Sequence, residues 1–268
     1  MVADTVLVDR LLSKIKNVGT SKLPLHCLAF QKLKNLIPYY NDFGRPHYRF
    51  CIVSGAILAR QLGYKKMSIL ELGVAGGNGL ICIEKICQQV KKRWDMDFEI
   101  FGFDMESGLP KPKDCRDVPY EWGEGYYKMD RPKLENRLQC SKLIVGDVKE
   151  TTKNFFKMNP APIGAIMFDL DYYSSTKDAF QLFQNPSDDF YLPRIQCYFD
   201  DLAVIESAGV RLAIKEFNQE NKFRKIESNY ERMQQIEISG HRIFEFHNFL
   251  HKDYNKNLKK SVQLPLLD

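Results

Sequence analysis

Beginning near Ser68, short apolar runs alternate with amphipathic stretches along most of the chain. Five runs predict strands: SILELGV (68–74), FEIFGFD (98–104), KLIVGD (142–147), IGAIMFD (163–169) and IQCYFDD (195–201). After the first run, Leu80, Ile83, Cys87 and Val90 share one helical face, and a second helix is expected from Ser174 or Ser175. A third, from about Ser207 to Asn221, carries Val210, Ile214 and Phe217 on one stripe. Strands that alternate with helices predict βα units and a parallel sheet. The end of the pattern reads as an antiparallel hairpin, with QQIEI (234–238), a turn at Ser239-Gly240 and HRIFEFHNF (241–249). The expected fold is therefore α/β: a doubly wound, mostly parallel seven-stranded sheet closed by that hairpin.

Before the first strand the period is helical. Segments within residues 1–65 are separated by Gly19, Pro24 and PYYNDFGRP (38–46), and the last of them runs through YRFCIVSGAILARQL. The expected division is a helical N-terminal extension over 1–65, the sheet domain over 66–250 and a tail over 251–268.

At 268 residues, the length favours one large domain or one domain with an extension. The net charge of +5 is the balance of 39 basic and 34 acidic residues spread along the chain, so neither a nucleic acid nor a membrane surface is expected as partner. Lys91, Lys92 and Arg93, and Lys256, Lys259 and Lys260, read as solvated helix ends or tails. Seven cysteines with no CxxC pair point to a reducing compartment. MVADTVLVDRLLSKIK reads as an amphipathic helix rather than a signal peptide, and no apolar run approaches the ~20 residues that span a bilayer. A cytoplasmic protein is expected, with the N-terminal helices as the place for homo-oligomer contacts.

Chemistry enters at the strand ends. Four of the five runs end in an acid, and ligands in open α/β sheets bind outside the carboxyl ends of the strands, so Asp104, Asp147, Asp169 and the pair Asp200-Asp201 are expected at one edge. ELGVAGGNG (71–79) supplies a glycine turn between strand and helix, with Gly73 and Gly77 letting backbone approach a ligand. Glu71, two residues before Gly73, suits a cofactor carrying positive charge better than a pyrophosphate. The glycines also depart from the GxGxxG spacing of dinucleotide sites.

Residues 71–79 resemble the first motif of class I S-adenosylmethionine-dependent methyltransferases. The order ELGVAGG, GFDMESGLPKP, VGD, FDLDYYSSTKDAF and FDD, followed by GVRLAIKEF, resembles the macrocin O-methyltransferase family over roughly 68–220. The resemblance implies that Asp104 meets the ribose hydroxyls and Asp147 the adenine amino group of S-adenosylmethionine; Asp147 reads equally well as a helix N-cap. It also implies that Asp169, Asp200 and Asp201 hold a metal and that Asp171 acts as general base. Oxygen-only ligands suit Mg²⁺ or another hard divalent cation. The chain departs from the family pattern at Leu170, Tyr172, Ser174 and Leu202, and YLPRIQ replaces a glycine-rich turn before the fifth strand.

FDLD followed by FDD also fits a dehalogenase-type phosphotransferase, but only 28 residues separate Asp171 from Asp200. Two intervening motifs on their own strands do not fit, since one βαβ unit takes about 30 residues. The expected activity is O-methyl transfer to a small hydroxylated substrate, sugar or phenol-like. Kept beside it are metal-independent transfer to another acceptor, a catalytically idle binding protein of the same fold and, as a minor rival, a metal-dependent glycosyltransferase. The long segment 105–141 and the turn before Tyr48 offer Tyr39, Tyr40, His47, Trp122, Tyr126 and Tyr127 for stacking on a ring or closing a lid.

Overall fold

Strand β1 (Lys66–Leu72) is buried from Met67 onward and lies between two parallel neighbours, β2 (Asp97–Asp104) and β4 (Ile163–Phe168). A strand covered on both faces needs a nearly continuous apolar run, and MSILEL departs from one at Ser68 and Glu71. The computed structural model describes residues 45–202, 205–228 and 242–258. Around β1 it builds a seven-stranded sheet in the order β3-β2-β1-β4-β5-β7-β6. Here β3 is Lys142–Val145, β5 Tyr191–Phe199, β6 Arg224–Ser228 and β7 Ile243–Asn248. The first five strands are parallel, and β7 enters antiparallel between β5 and β6.

Two of the predicted elements differ. The fifth strand begins at Tyr191 rather than Ile195, because YLPR continues it through a register shift against β4, a position at which a strand tolerates Pro193. The strand that pairs with β7 is Arg224–Ser228, while the predicted 234–238 run lies outside the described residues. RKIES hides from periodicity because it is an edge strand, with Ile226 buried among charged and polar neighbours.

Helices cover both faces. On one lie α1 (Pro46–Gln61), opened by a proline at N1, and α2 (Asn78–Arg93). Helix α1 sits so close to the sheet that a Cβ on Gly55 would come within 2.7 Å of the Gly164 carbonyl oxygen. On the other face lie α4 (Val148–Asn154), α5 (Tyr173–Ala179) and α6 (Gly209–Glu220), after the short α3 (Arg131–Glu135). Their core is aromatic: Phe168 stacks on Phe199 at 4.5 Å and Phe183 on Phe246 at 4.0 Å.

By contacts the chain divides into Met1–Asp42 and Phe43–Asp268. The first unit, with Tyr39 and Tyr40, lies outside the described residues, as do His241 and residues 259–268. Among the described residues no helix is long and apolar enough to cross a membrane.

Candidate active site

The turn after β1 and the turn after β4 touch. Gly73 has φ 86°, and a Cβ there would fall 1.7 Å from the Asp169 carbonyl oxygen, while the Asp169 N–H donates to the Leu72 carbonyl at 2.8 Å. Only glycine fits, so Gly73 brings the cofactor-type turn against the FDLD segment. Gly77, at φ 78°, is the N-cap of α2, and a Cβ there would strike Leu134 of α3.

Asp104, the last residue of β2, fixes this turn from the side. Its Oδ2 accepts from the N–H groups of Val74 (2.8 Å) and Ala75 (2.9 Å), and its Oδ1 accepts from Glu106 N–H at 2.7 Å. Asp147 caps α4 by accepting from Lys149 N–H at 2.8 Å, as its N-cap reading expected, and it also lines the central cavity. Glu71 lies deeper and does not line the cavity. It is buried in β1, where its Oε1 accepts from Tyr48 Oη at 2.9 Å and its Oε2 has no partner. Burial pushes its carboxyl up to about 8 despite the Tyr48 hydrogen bond and the nearby Arg45 guanidinium.

Four carboxylates gather at the ends of β4 and β5. One oxygen each of Asp169, Asp200 and Asp201 lies within 4.8 Å of the others, the only such three-residue group among the described residues. Asp171 joins them: it is buried at φ 58°, its N–H donates to Asp201 Oδ2 at 3.1 Å, and a tight Tyr172 N–H to Leu170 carbonyl bond spans it. Aspartate tolerates this left-handed backbone better than most residues, and such strain collects at functional positions. Burial, with repulsion from Asp201 and Asp200, raises Asp169 to about 7. Burial and the neighbouring carboxylates likewise raise Asp171 and Asp201. Three oxygen ligands within reach of one small ion suit a hard divalent cation.

The flank of Asp200 was not legible in the sequence. Tyr198 Oη and Arg242 Nη1 both donate to its Oδ1, at 2.6 and 2.8 Å. Tyr198 stands two residues before Asp200 on β5, the one local signal, whereas Arg242 arrives only through antiparallel pairing of β7 with β5. His47, offered by the sequence for stacking, stacks on Tyr198 at 4.2 Å and lies outside the cavity lining; burial and Arg45 lower it to about 4, so it is neutral near pH 7.

The segment between β2 and β3 closes the site. Buried Asp117 pins its base to α5 by accepting from Ser174 N–H (2.7 Å), Ser174 Oγ (2.9 Å) and Lys113 N–H (2.7 Å). Arg116 adds a hydrogen bond to Tyr173 Oη at 3.0 Å. Tyr173 and Ser174 thus anchor this segment and Tyr172 is wholly buried, whereas Leu170 faces the cavity. The cavity measures about 330 Å³, and its walls include Gly73, Asp104 and Asp147, the four carboxylates, and Trp122, Tyr126 and Tyr127.

Neither a protein-family profile nor a curated protein matches the chain. Solved structures do. The calicheamicin methyltransferase CalS11 superposes with TM-score 0.51 at 18% identity, covering 92% of this chain and 93% of that one. The O-methyltransferase NovP superposes with TM-score 0.54 at 14% identity over 75% and 77% of the two chains. The fold is the Rossmann-like fold of the class I S-adenosylmethionine-dependent methyltransferases.

Proposed function

We propose that the protein is an S-adenosylmethionine-dependent O-methyltransferase acting on a hydroxyl of a small molecule, with a divalent cation, Mg²⁺ in the first instance, held by Asp169, Asp200 and Asp201. The observation that carries this reading is one cavity lined both by the Gly73 turn with Asp104 and by the four clustered carboxylates. The likeness in fold to CalS11 and NovP supports it.

When bound, the cofactor supplies an electrophilic methyl group, and the cation lowers the pKa of a coordinated hydroxyl and fixes its oxygen. Asp104 serves the cofactor mainly by holding the turn in shape. Three of its roughly four acceptor positions are taken by backbone, leaving one for a ribose hydroxyl. Asp171 takes the acceptor's proton, because its raised carboxyl binds protons readily near neutral pH. With the methyl group transferred to the acceptor oxygen, Asp171 would return its proton to water, and most of the remaining acceleration would come from holding acceptor and cofactor in place.

Arg242 favours a second reading, in which its guanidinium supplies the charge at Asp200 and transfer needs no cation. Calorimetry with S-adenosylhomocysteine tests the common part: the wild type binds, and Asp104→Asn binds at least tenfold more weakly. A wild type that does not bind overturns both readings. Electron paramagnetic resonance with Mn²⁺ then separates them, since a bound signal lost in Asp200→Asn supports the cation and a spectrum of free Mn²⁺ alone removes it.

A further inference from the structure

The β2–β3 segment holds two tyrosines at the cavity wall in a way that ordinary loop closure does not require. Tyr126 and Tyr127 are 53% and 56% exposed, yet both line the cavity that holds the carboxylates. Their rings meet edge to face, 6.2 Å apart with planes at 84°, and so form a corner. Three features build it. Leu109 N–H donates to the Tyr126 carbonyl and Gly125 N–H to the Leu109 carbonyl, both at 2.8 Å. Gly108 lets this crossing close, because a Cβ there would lie 2.4 Å from the Tyr126 oxygen. Tyr127 itself adopts φ 61°, a strained backbone for a non-glycine residue that persists where the surroundings impose it. The base of the segment is fixed by Asp117, so the corner is carried on a pinned support.

We infer that Tyr126 and Tyr127 form the acceptor-binding corner and select an acceptor whose hydroxyl is borne on a ring. The ring stacks on one tyrosine and meets the edge of the other, which directs its hydroxyl toward Asp171. Aromatic faces accept both planar aromatic rings and the C–H face of a sugar, so ring stacking is the shared chemistry. This rests on the methyltransferase reading for the reaction but not for the binding.

The protein carries its own reporter. It has two tryptophans, Trp94, which lies under Arg60, and Trp122, which lines the cavity beside the corner. In a Trp94→Phe background, Trp122 fluorescence is followed while catechol or methyl glucoside is added, with and without S-adenosylhomocysteine. A saturable response to catechol alone assigns a phenolic acceptor, and one to the glucoside alone a sugar. Tyr126→Ala and Tyr127→Ala each weaken that response at least tenfold, Tyr126→Phe and Tyr127→Phe stay within twofold, and S-adenosylhomocysteine affinity by calorimetry stays within twofold in all four. The inference is overturned if neither probe gives a saturable response or if the alanine variants bind the ring as well as the wild type. It is also overturned if cofactor affinity falls in step with ring affinity, which would make the corner a cofactor lid. Failure of S-adenosylhomocysteine to bind the wild type removes the proposed reaction instead, and the ring measurement without it still judges the corner.

Discussion

A methyl group at Gly73 has nowhere to go. The Asp169 carbonyl oxygen occupies its position, and φ 86° is unfavourable for any L side chain. Gly73→Ala is therefore expected to destabilise the protein by on the order of 3 kcal/mol or more in urea unfolding, while Gly76→Ala, with open space around it, leaves the midpoint nearly unchanged. Glu71 gives a prediction in pH. Its folded value of about 8 lies above the ordinary 4.5, so between these values the folded chain keeps a proton that the unfolded chain has released, and stability falls as pH rises. Glu71→Gln keeps an acceptor for Tyr48 without the charge. Its melting temperature should match the wild type near pH 4.5 and exceed it by several degrees at pH 8.5; a gap that does not widen with pH would show Glu71 to be ionised in the fold. The chemistry of both residues was readable from ELGVAGG, but their depth was not. Tyr48 reaches Glu71 from a separate helix, and nothing local in the sequence announces that contact.

At the scale of elements, one buried side chain, Asp117, gathers the hydrogen bonds that tie the base of the β2–β3 segment to α5. Asp117→Ala leaves the Lys113 and Ser174 donors without their carboxylate, a loss of about 1–3 kcal/mol for each buried group that stays unsatisfied. Hydrogen exchange should then quicken across 108–127 while β1 and β4 amides stay protected; unchanged exchange in that segment would mean the support lies elsewhere. Strands β1, β4 and β5 were legible because both of their faces are buried, which demands long apolar runs, and the edge strand β3 was legible from its apolar LIV although it is only half-buried. The start of β5 was not, since Pro193 and Arg194 interrupt the run at a register shift. Neither was β6, whose single buried position, Ile226, is too little for a period. Ser174 is one of the departures from the family pattern, and Tyr173 precedes it. Both anchor the β2–β3 segment, for Ser174 donates to Asp117 and Tyr173 accepts from Arg116.

Over the whole molecule, sheet order decides what the strand-end acids do. With β1 between β2 and β4, and β5 next to β4, the carboxyl edge gathers acids from segments far apart in sequence. Periodicity together with the strand-end rule anticipated this, because parallel strands all deliver their last residues to one edge. The antiparallel return of β7 was anticipated as a hairpin, but not that it carries Arg242 to Asp200, since charge contacts across strands leave no periodic trace. Gathering so many carboxylates is costly: two at ~4 Å repel by about 4 kcal/mol at an effective dielectric near 20. Stability and function should therefore pull in opposite directions at Asp169. Without divalent cations, Asp169→Asn removes one of the crowded charges and is expected to melt higher than the wild type. Adding Mg²⁺ or Mn²⁺ should raise the wild-type melting temperature by mass action, as for any ligand that binds only the folded state, and leave the variant unmoved. The two effects have opposite signs in one protein, so a general loss of folding cannot imitate them. A wild type indifferent to both cations, combined with a variant that still melts higher, would assign the cluster to the cation-free reading with Arg242 as its counter-charge.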